Sequence, residues 1–294
     1  MFLQSESVLS AYSFSAIIPR FQTILSTFEF SNRIKKLMQK SINIIIAFLI
    51  FTSGFAQSNK ETPEVNPNQI QKSYADWSVY QSKNIMLSVD FTAFDVNSKE
   101  ITKESFLDQL ANGNFIPIRL KSADTIYSYK LFKILPNSDT SIKASMNQIA
   151  FDAYKNYKME GTSFPKFSFK DLNGNLISNE TMKGKIIVIK CWYVQCAPCI
   201  REFPQVNKLA DEYKDRNDIV FISLAEDAPD KLKTFLARKP LKYAVVPNMK
   251  EYMNQALELN SFPTHFILDK EGKIAKVLSN FESLEVALTK ESKM

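Results

Sequence analysis

The sequence predicts an α/β fold: a central mixed sheet with helices on both faces, preceded by a small α+β region. Three observations carry that prediction. From Gly161 onward, short apolar runs alternate with amphipathic stretches, the pattern of strands linked through helices. The alternation closes with two apolar runs across Asp269-Lys270-Glu271-Gly272 and a last helical stretch, a hairpin followed by a helix. Cys196-Ala197-Pro198-Cys199 comes directly after the apolar run from Ile186 to Val194, where a strand gives way to a helix.

The N-terminal part reads as an address. Arg33, Lys35, Lys36 and Lys40 precede the apolar run from Ile42 to Phe51, and Gly54-Phe55-Ala56 follows. A basic region, a short apolar core and small residues at the −3 and −1 positions make a signal peptide over 38–56, cut after Ala56. The core is shorter than the ~20 residues of a membrane span, and Asn43 interrupts it, so a cleavable leader to the periplasm or cell envelope is read ahead of an uncleaved anchor. Such leaders begin at a start codon, so residues 1–37 are expected to be a mis-annotated extension, with Met38 as the true start. Residues 57–73 are polar with Pro63 and Pro67 and read as a linker.

Residues 74–158 form the expected α+β region, β-like from Tyr74. Strands are expected over Ile85–Phe91, Asn114–Leu120 and Thr125–Leu135. A helix over Thr102–Leu110 gathers Phe106, Leu107 and Leu110 on one face, with Thr102 and Ser105 as capping candidates and Asn112-Gly113 as the stop. A second helix runs over Ser141–Tyr157.

In 159–294, Phe164–Phe169 and Leu176-Ile177 flank Asn173-Gly174, a hairpin signal. The strand Ile186–Trp192 precedes the cysteines, and a helix over Glu202–Tyr213 follows, kinked by Pro204. Then come a strand over Ile219–Leu224, a helix over Asp230–Arg238, a strand over Tyr243–Val246 and a helix over Glu251–Leu259. Strands over Thr264–Leu268 and Lys273–Leu278 make the last hairpin, and a helix over Glu282–Lys290 ends the pattern.

Composition narrows the chemistry. With 294 residues, 45% hydrophobic and 23% charged, the chain can bury a real core. The net charge of +6 comes from scattered Lys and Arg, which gives no support for a nucleic-acid partner. Three cysteines are too few for a disulfide scaffold. Two cysteines at this spacing, held where a helix begins, point to a redox dithiol, because the free N–H groups there favour a thiolate. Zinc would need two further Cys or His ligands, and only Cys191 and His265 remain, so no metal and no cofactor are expected. Cys196, at the helix entrance and nearer solvent, is the candidate nucleophile. Cys199, one turn further in, is the candidate resolving thiol. Pro198 fixes φ in the first turn, and Ala197 with Pro198 is expected to tune the potential. Trp192 is expected as a platform under the motif, Cys191 as a small buried hydrophobe and His265 as a packing residue. Lys190 either lies beneath the cysteines, lowering their pKa values, or points outward as surface charge.

These motifs resemble a family. Phe164-Pro165-Lys166-Phe167, Lys183-Gly184-Lys185, Trp192, the Cys196–Cys199 motif, Glu202-Phe203-Pro204, Ser261-Phe262-Pro263-Thr264 and Asp269-Lys270-Glu271-Gly272 together resemble the thioredoxin-like TlpA/ResA group of extracytoplasmic thiol–disulfide oxidoreductases, over residues 161–290. The resemblance implies a thioredoxin-like fold with an N-terminal hairpin extension. It implies that Pro263 is cis and faces the cysteines, with Phe262 and Thr264 beside it in substrate binding, and that Glu202 manages protons near the dithiol. Two positions depart: Gln195 stands where an aromatic residue is usual, and Lys190 where thioredoxin has a buried acid. The implied activity is reduction of disulfides in client proteins, apocytochromes among the possible clients, with a membrane thiol reductant as second partner. A peroxiredoxin-like peroxidase and an envelope binding protein are the alternatives.

Overall fold

The computed structural model describes residues 62–121 and 127–293; the expectations for 1–37 and 38–56 lie outside the described residues. The linker reading of 57–73 does not hold from residue 62 on. Glu64 N–H donates to the Arg119 carbonyl at 2.9 Å, and the Gln71 side chain is buried, bonding the carbonyls of Pro67 and Lys133 and the N–H of Leu135. A short helix, α1 (Pro67–Ile70), lies within this stretch.

The β-like reading from Tyr74 is also corrected. Tyr74–Asn84 is a helix, α2, whose N-cap Ser73 accepts from Asp76 N–H, satisfying a donor the helix itself leaves free. Trp77 and Tyr80 are buried and, three residues apart, share one helix face. The strand expected over Ile85–Phe91 starts only at its last residue, as β1 (Phe91–Phe94). The preceding loop is pinned by the Tyr129 hydroxyl, which accepts from Met86 N–H at 3.0 Å. There follow β2 (Glu100–Ile101), α3 (Lys103–Ala111), β3 (Phe115–Arg119), β4 (Tyr127–Lys133) and α4 (Thr140–Met159). The strands form one sheet in the order β2-β1-β4-β3, with β1 and β4 parallel. Phe106, Leu107 and Leu110 of α3 and Ile142, Met146 and Ala150 of α4 close its core. Gly113 ends α3 at φ 73°, a left-handed conformation that favours glycine, and a Cβ there would have to displace the Asn147 side chain of α4.

The second layer is the predicted α/β fold. A two-stranded extension, β5 (Ser168–Lys170) and β6 (Leu176–Ser178), precedes a five-stranded sheet. Its strands are β7 (Ile186–Trp192), β8 (Ile219–Ala225), β9 (Ala244–Val246), β10 (Thr264–Leu268) and β11 (Ile274–Leu278), in the order β11-β10-β7-β8-β9. β7, β8 and β9 run parallel, β10 runs against β7, and β11 against β10. All seven residues of β7 are buried, as a central strand covered on both sides requires. Alternation sends Ile187, Ile189 and Cys191 into one core and Ile186, Val188 and Trp192 to the other. The helices are α5 (Ala197–Arg201), α6 (Phe203–Glu212), α7 (Pro229–Leu236), α8 (Lys250–Gln255) and α9 (Phe281–Glu291). Where one kinked helix was expected, α5 and α6 are separate helices meeting at Glu202. Pro204 has no N–H to give the Ile200 carbonyl, so the ladder breaks there. This is a thioredoxin-like fold, and no helix among the described residues is long and apolar enough to cross a membrane.

The layers are joined by charge. Lys276 on β11, 8% exposed, pairs with Asp90 at 2.7 Å and with Glu160 at 3.0 Å, and Lys290 on α9 also reaches Asp90. The two lysines hold the Asp90 carboxyl down at about 2 against the upward push of burial. Lys276→Met leaves Glu160 buried without its partner, which should cost about 2 kcal/mol and speed hydrogen exchange in β1 and α3 before the five-stranded sheet responds; uniform exchange across both sheets would contradict this.

Candidate active site

The site stands where β7 ends. Tyr193 to Gln195 form a loop fixed by Asp227, whose carboxylate accepts from Val194 N–H at 2.7 Å and pairs with Lys231 at 2.6 Å. Cys196 is then the N-cap of α5, and its sulfur accepts the Cys199 N–H at 3.2 Å. That donor lies where a thiolate gains most from it. Cys196 and Cys199 are joined as a disulfide with Cα atoms 5.3 Å apart. Cys196 is 3% exposed and Cys199 fully enclosed. Ala197 and Pro198 are exposed beside the sulfurs. Trp192 is buried against Phe203, ring centroids 5.0 Å apart and edge-on, in the same cluster as both cysteines.

Pro263 follows a cis peptide bond. Phe262 is half-buried, packs against the cysteine cluster and meets Tyr193 edge-on at 5.4 Å. Among the described residues its N–H and carbonyl have no intramolecular hydrogen-bond partner. Thr264 differs from expectation: it is 4% exposed and its hydroxyl donates to the Ser261 carbonyl at 2.8 Å, so it shapes the loop and does not face outward.

Beneath the dithiol lies a buried ionic cluster. Lys190 falls on the Trp192 face of β7, and β10 places His265 opposite it in register. Both are fully buried, and both reach the same oxygen of Glu202, Lys190 Nζ at 2.5 Å and His265 Nε2 at 3.1 Å. The other Glu202 oxygen accepts the Phe281 N–H at 2.9 Å, from the start of α9. Burial pushes the Glu202 carboxyl up, but the hydrogen bond from His265 and the charge and hydrogen bond of Lys190 outweigh it and hold it below the usual range. Burial, seconded by Lys190, brings His265 down to about 4. Lys190 is therefore not surface charge, and its ammonium is paired with Glu202. Glu202 is engaged by three donors, so it is no free base beside the thiols. His265 packs, as expected, but as a neutral ring bonding through Nε2. On the opposite face of β7, burial pushes the free Cys191 thiol far up.

Sequence reasoning missed the Lys190–Glu202–His265 cluster, Asp227 and Tyr193. The signal for the cluster was Lys190 in otherwise apolar β7 and His265 in β10, at positions that the antiparallel pairing of the two strands brings opposite.

Comparisons with known proteins concern the second layer. A model of the family described as Redoxin matches residues 159–289. Thioredoxin-like protein YneN of Bacillus subtilis is 32% identical over 120 residues, 40% of this chain and 70% of that protein. The thiol-disulfide oxidoreductase ResA of Bacillus thuringiensis subsp. konkukian is 28% identical over 143 residues, 47% of this chain and 83% of that protein. Among solved structures, a putative thiol:disulfide interchange protein DsbE from Chlorobium tepidum overlaps 45% of this chain and 96% of its own at 22% identity, with a TM-score of 0.42.

Two outcomes follow from the cluster. In the unfolded chain His265 takes a proton below its ordinary 6.5, whereas in the fold it does so only near 4. Its contribution to stability is thus complete above pH 6.5 and is lost as pH falls toward 4, by about 3 kcal/mol in denaturant titrations; His265→Gln should flatten that slope. Glu202→Gln strands the Lys190 ammonium and should lower the unfolding free energy by about 3 kcal/mol at neutral pH.

Proposed function

Because the chain belongs to the redoxin family of thioredoxin-like thiol–disulfide oxidoreductases, we propose that it works as an extracytoplasmic reductant of disulfides in client proteins, through Cys196 and Cys199. The observation that carries this reading is the placement of the pair: Cys196, 3% exposed, accepts a helix N–H, Cys199 is fully enclosed behind it, and the Phe262 backbone is unpaired among the described residues.

In the reduced protein the Cys196 thiolate attacks one sulfur of a client disulfide. A mixed disulfide forms and the client's other sulfur leaves as a thiol. The Cys199 thiolate then attacks Cys196, the mixed disulfide breaks, and the second client sulfur departs. Two electrons pass to the client, the two protons of the dithiol end on the client thiols, and the protein is left as the Cys196–Cys199 disulfide. Phe262 offers its free N–H and carbonyl to the client main chain as a short strand pairing. Ala197 and Pro198 sit where contact with the client and tuning of the potential coincide, and Trp192 holds the pair from below. Glu202, Lys190 and His265 act as a fixed, internally neutral foundation.

The leader reading of residues 38–56 supports a periplasmic or envelope location. In that oxidising space a reductant must be recharged, which implies a membrane thiol reductant as partner. Apocytochromes, whose Cys-x-x-Cys-His thiols must be free for haem attachment, are a client class with the right chemistry.

With dithiothreitol as electron source, the mature protein should accelerate insulin reduction. Cys196→Ser should fall to background, and Cys199→Ser should accumulate a mixed disulfide visible on non-reducing gels. Undiminished turnover by Cys196→Ser would end this reading.

A further inference from the structure

A groove of about 250 Å³ opens between the two layers at the cis-proline loop. One wall is the loop before β1, with Ile85 and Ser88; a second is the α4 face carrying Ile149, Asp152 and Ala153; the third is Phe262-Pro263 itself. Phe262 thus belongs both to the groove and to the cluster that holds the cysteines. Three observations indicate what the groove takes. The Phe262 main chain is unpaired among the described residues, so an extended chain that pairs there can continue along the groove. The walls combine aliphatic side chains with amides and hydroxyls, and Asp152 is the one ionisable residue among the lining residues. The neighbouring cation on α4, Lys155, is spoken for: it donates to the Glu258 carbonyl at 2.6 Å and pairs with the Glu258 carboxylate at 3.6 Å. Glu258 adopts a left-handed φ of 49°, a conformation that costs a non-glycine residue energy. Lys155 therefore braces the approach to the cis-proline loop from the same helix that builds the groove wall. One turn before Lys155, Phe151 is 55% exposed.

Resting on the disulfide-exchange reading, we infer that this groove is a client subsite supplied by the N-terminal layer. It receives an extended polypeptide segment next to the client's reactive cysteine, carrying an apolar side chain for Ile85 and Ile149 and a Lys or Arg for Asp152. Strand geometry turns alternate side chains to opposite sides, so a client paired with Phe262 presents one set toward the groove. The charge requirement discriminates: an acidic segment would meet Asp152 with no cation to offset it. The N-terminal layer then selects among disulfides that the dithiol alone would treat alike.

The test uses the reduced protein and two synthetic nonapeptides, each with one cysteine activated as a mixed disulfide with thionitrobenzoate. One carries Leu and Lys beside the cysteine, the other Ser and Asp. Release of thionitrobenzoate should be roughly tenfold faster for the Leu/Lys peptide, the weight of one good interface contact. Asp152→Lys and Ala153→Trp, which reverse the charge and fill the groove, should each abolish that preference. Both should react with 2-hydroxyethyl disulfide, too small to reach the groove, at the wild-type rate. Equal rates for the two peptides, or a preference that survives Asp152→Lys, would overturn the subsite; Asp152→Lys decides the matter if Ala153→Trp does not fold. A wild-type protein inert toward 2-hydroxyethyl disulfide would overturn the exchange reading itself, and the subsite with it.

Discussion

One buried carboxylate organises the active end of this molecule. Glu202 sits at the break between α5 and α6 and is held by a lysine on β7, a histidine on β10 and the first N–H of α9. A charge taken out of water is costly unless it is paired and fully hydrogen-bonded. Five elements are therefore obliged to keep their places if Glu202 is to stay compensated. Those elements carry the dithiol, the cis-proline loop and the last helix, so the geometry of exchange is set by an interaction one layer below it. Breaking any single arm leaves the others worse than absent, and this ties local electrostatics to the whole arrangement.

The N-terminal layer depends on a similar device. Lys276 emerges from an edge strand of the five-stranded sheet and is met by Asp90 and Glu160 from the first layer. Nearby, Lys103 lies over the rings of Phe91 and Tyr157 and donates to the Val89 carbonyl, and burial brings it down to about 8. Ion pairs fix direction as well as distance, so this seam sets the angle at which α4 faces the cis-proline loop. An apolar seam of equal area would hold the layers together while leaving that angle less defined.

Much of the second layer was legible because its signals are local. The run Ile186–Ile189 with Trp192 behind it, bounded by turn residues, reads as an interior strand even with Lys190 inside it, and Pro263 stands in the motif Ser261-Phe262-Pro263-Thr264. The first layer was harder. Trp77, Val79 and Tyr80 favour strands by propensity, but Ser73 caps a helix and burial of Trp77 and Tyr80 on one face decides in its favour, a tertiary choice that overrides local preference. Pro63 and Pro67 looked like tether residues because nothing in their neighbourhood announces Arg119 or Lys133 as partners. The Glu202 cluster was invisible for the same reason: its members lie 12 and 63 residues away from the carboxylate, and only sheet register unites them.

Cys191 gives the arrangement a last property. It is five positions from Cys196, yet the pleat of β7 turns it into the opposite core, with a whole sheet between its thiol and the active pair. Scrambled pairings need an available third sulfur, and here there is none. Within the fold, the bridge between Cys196 and Cys199 is thus kept apart from the one other thiol of the sequence.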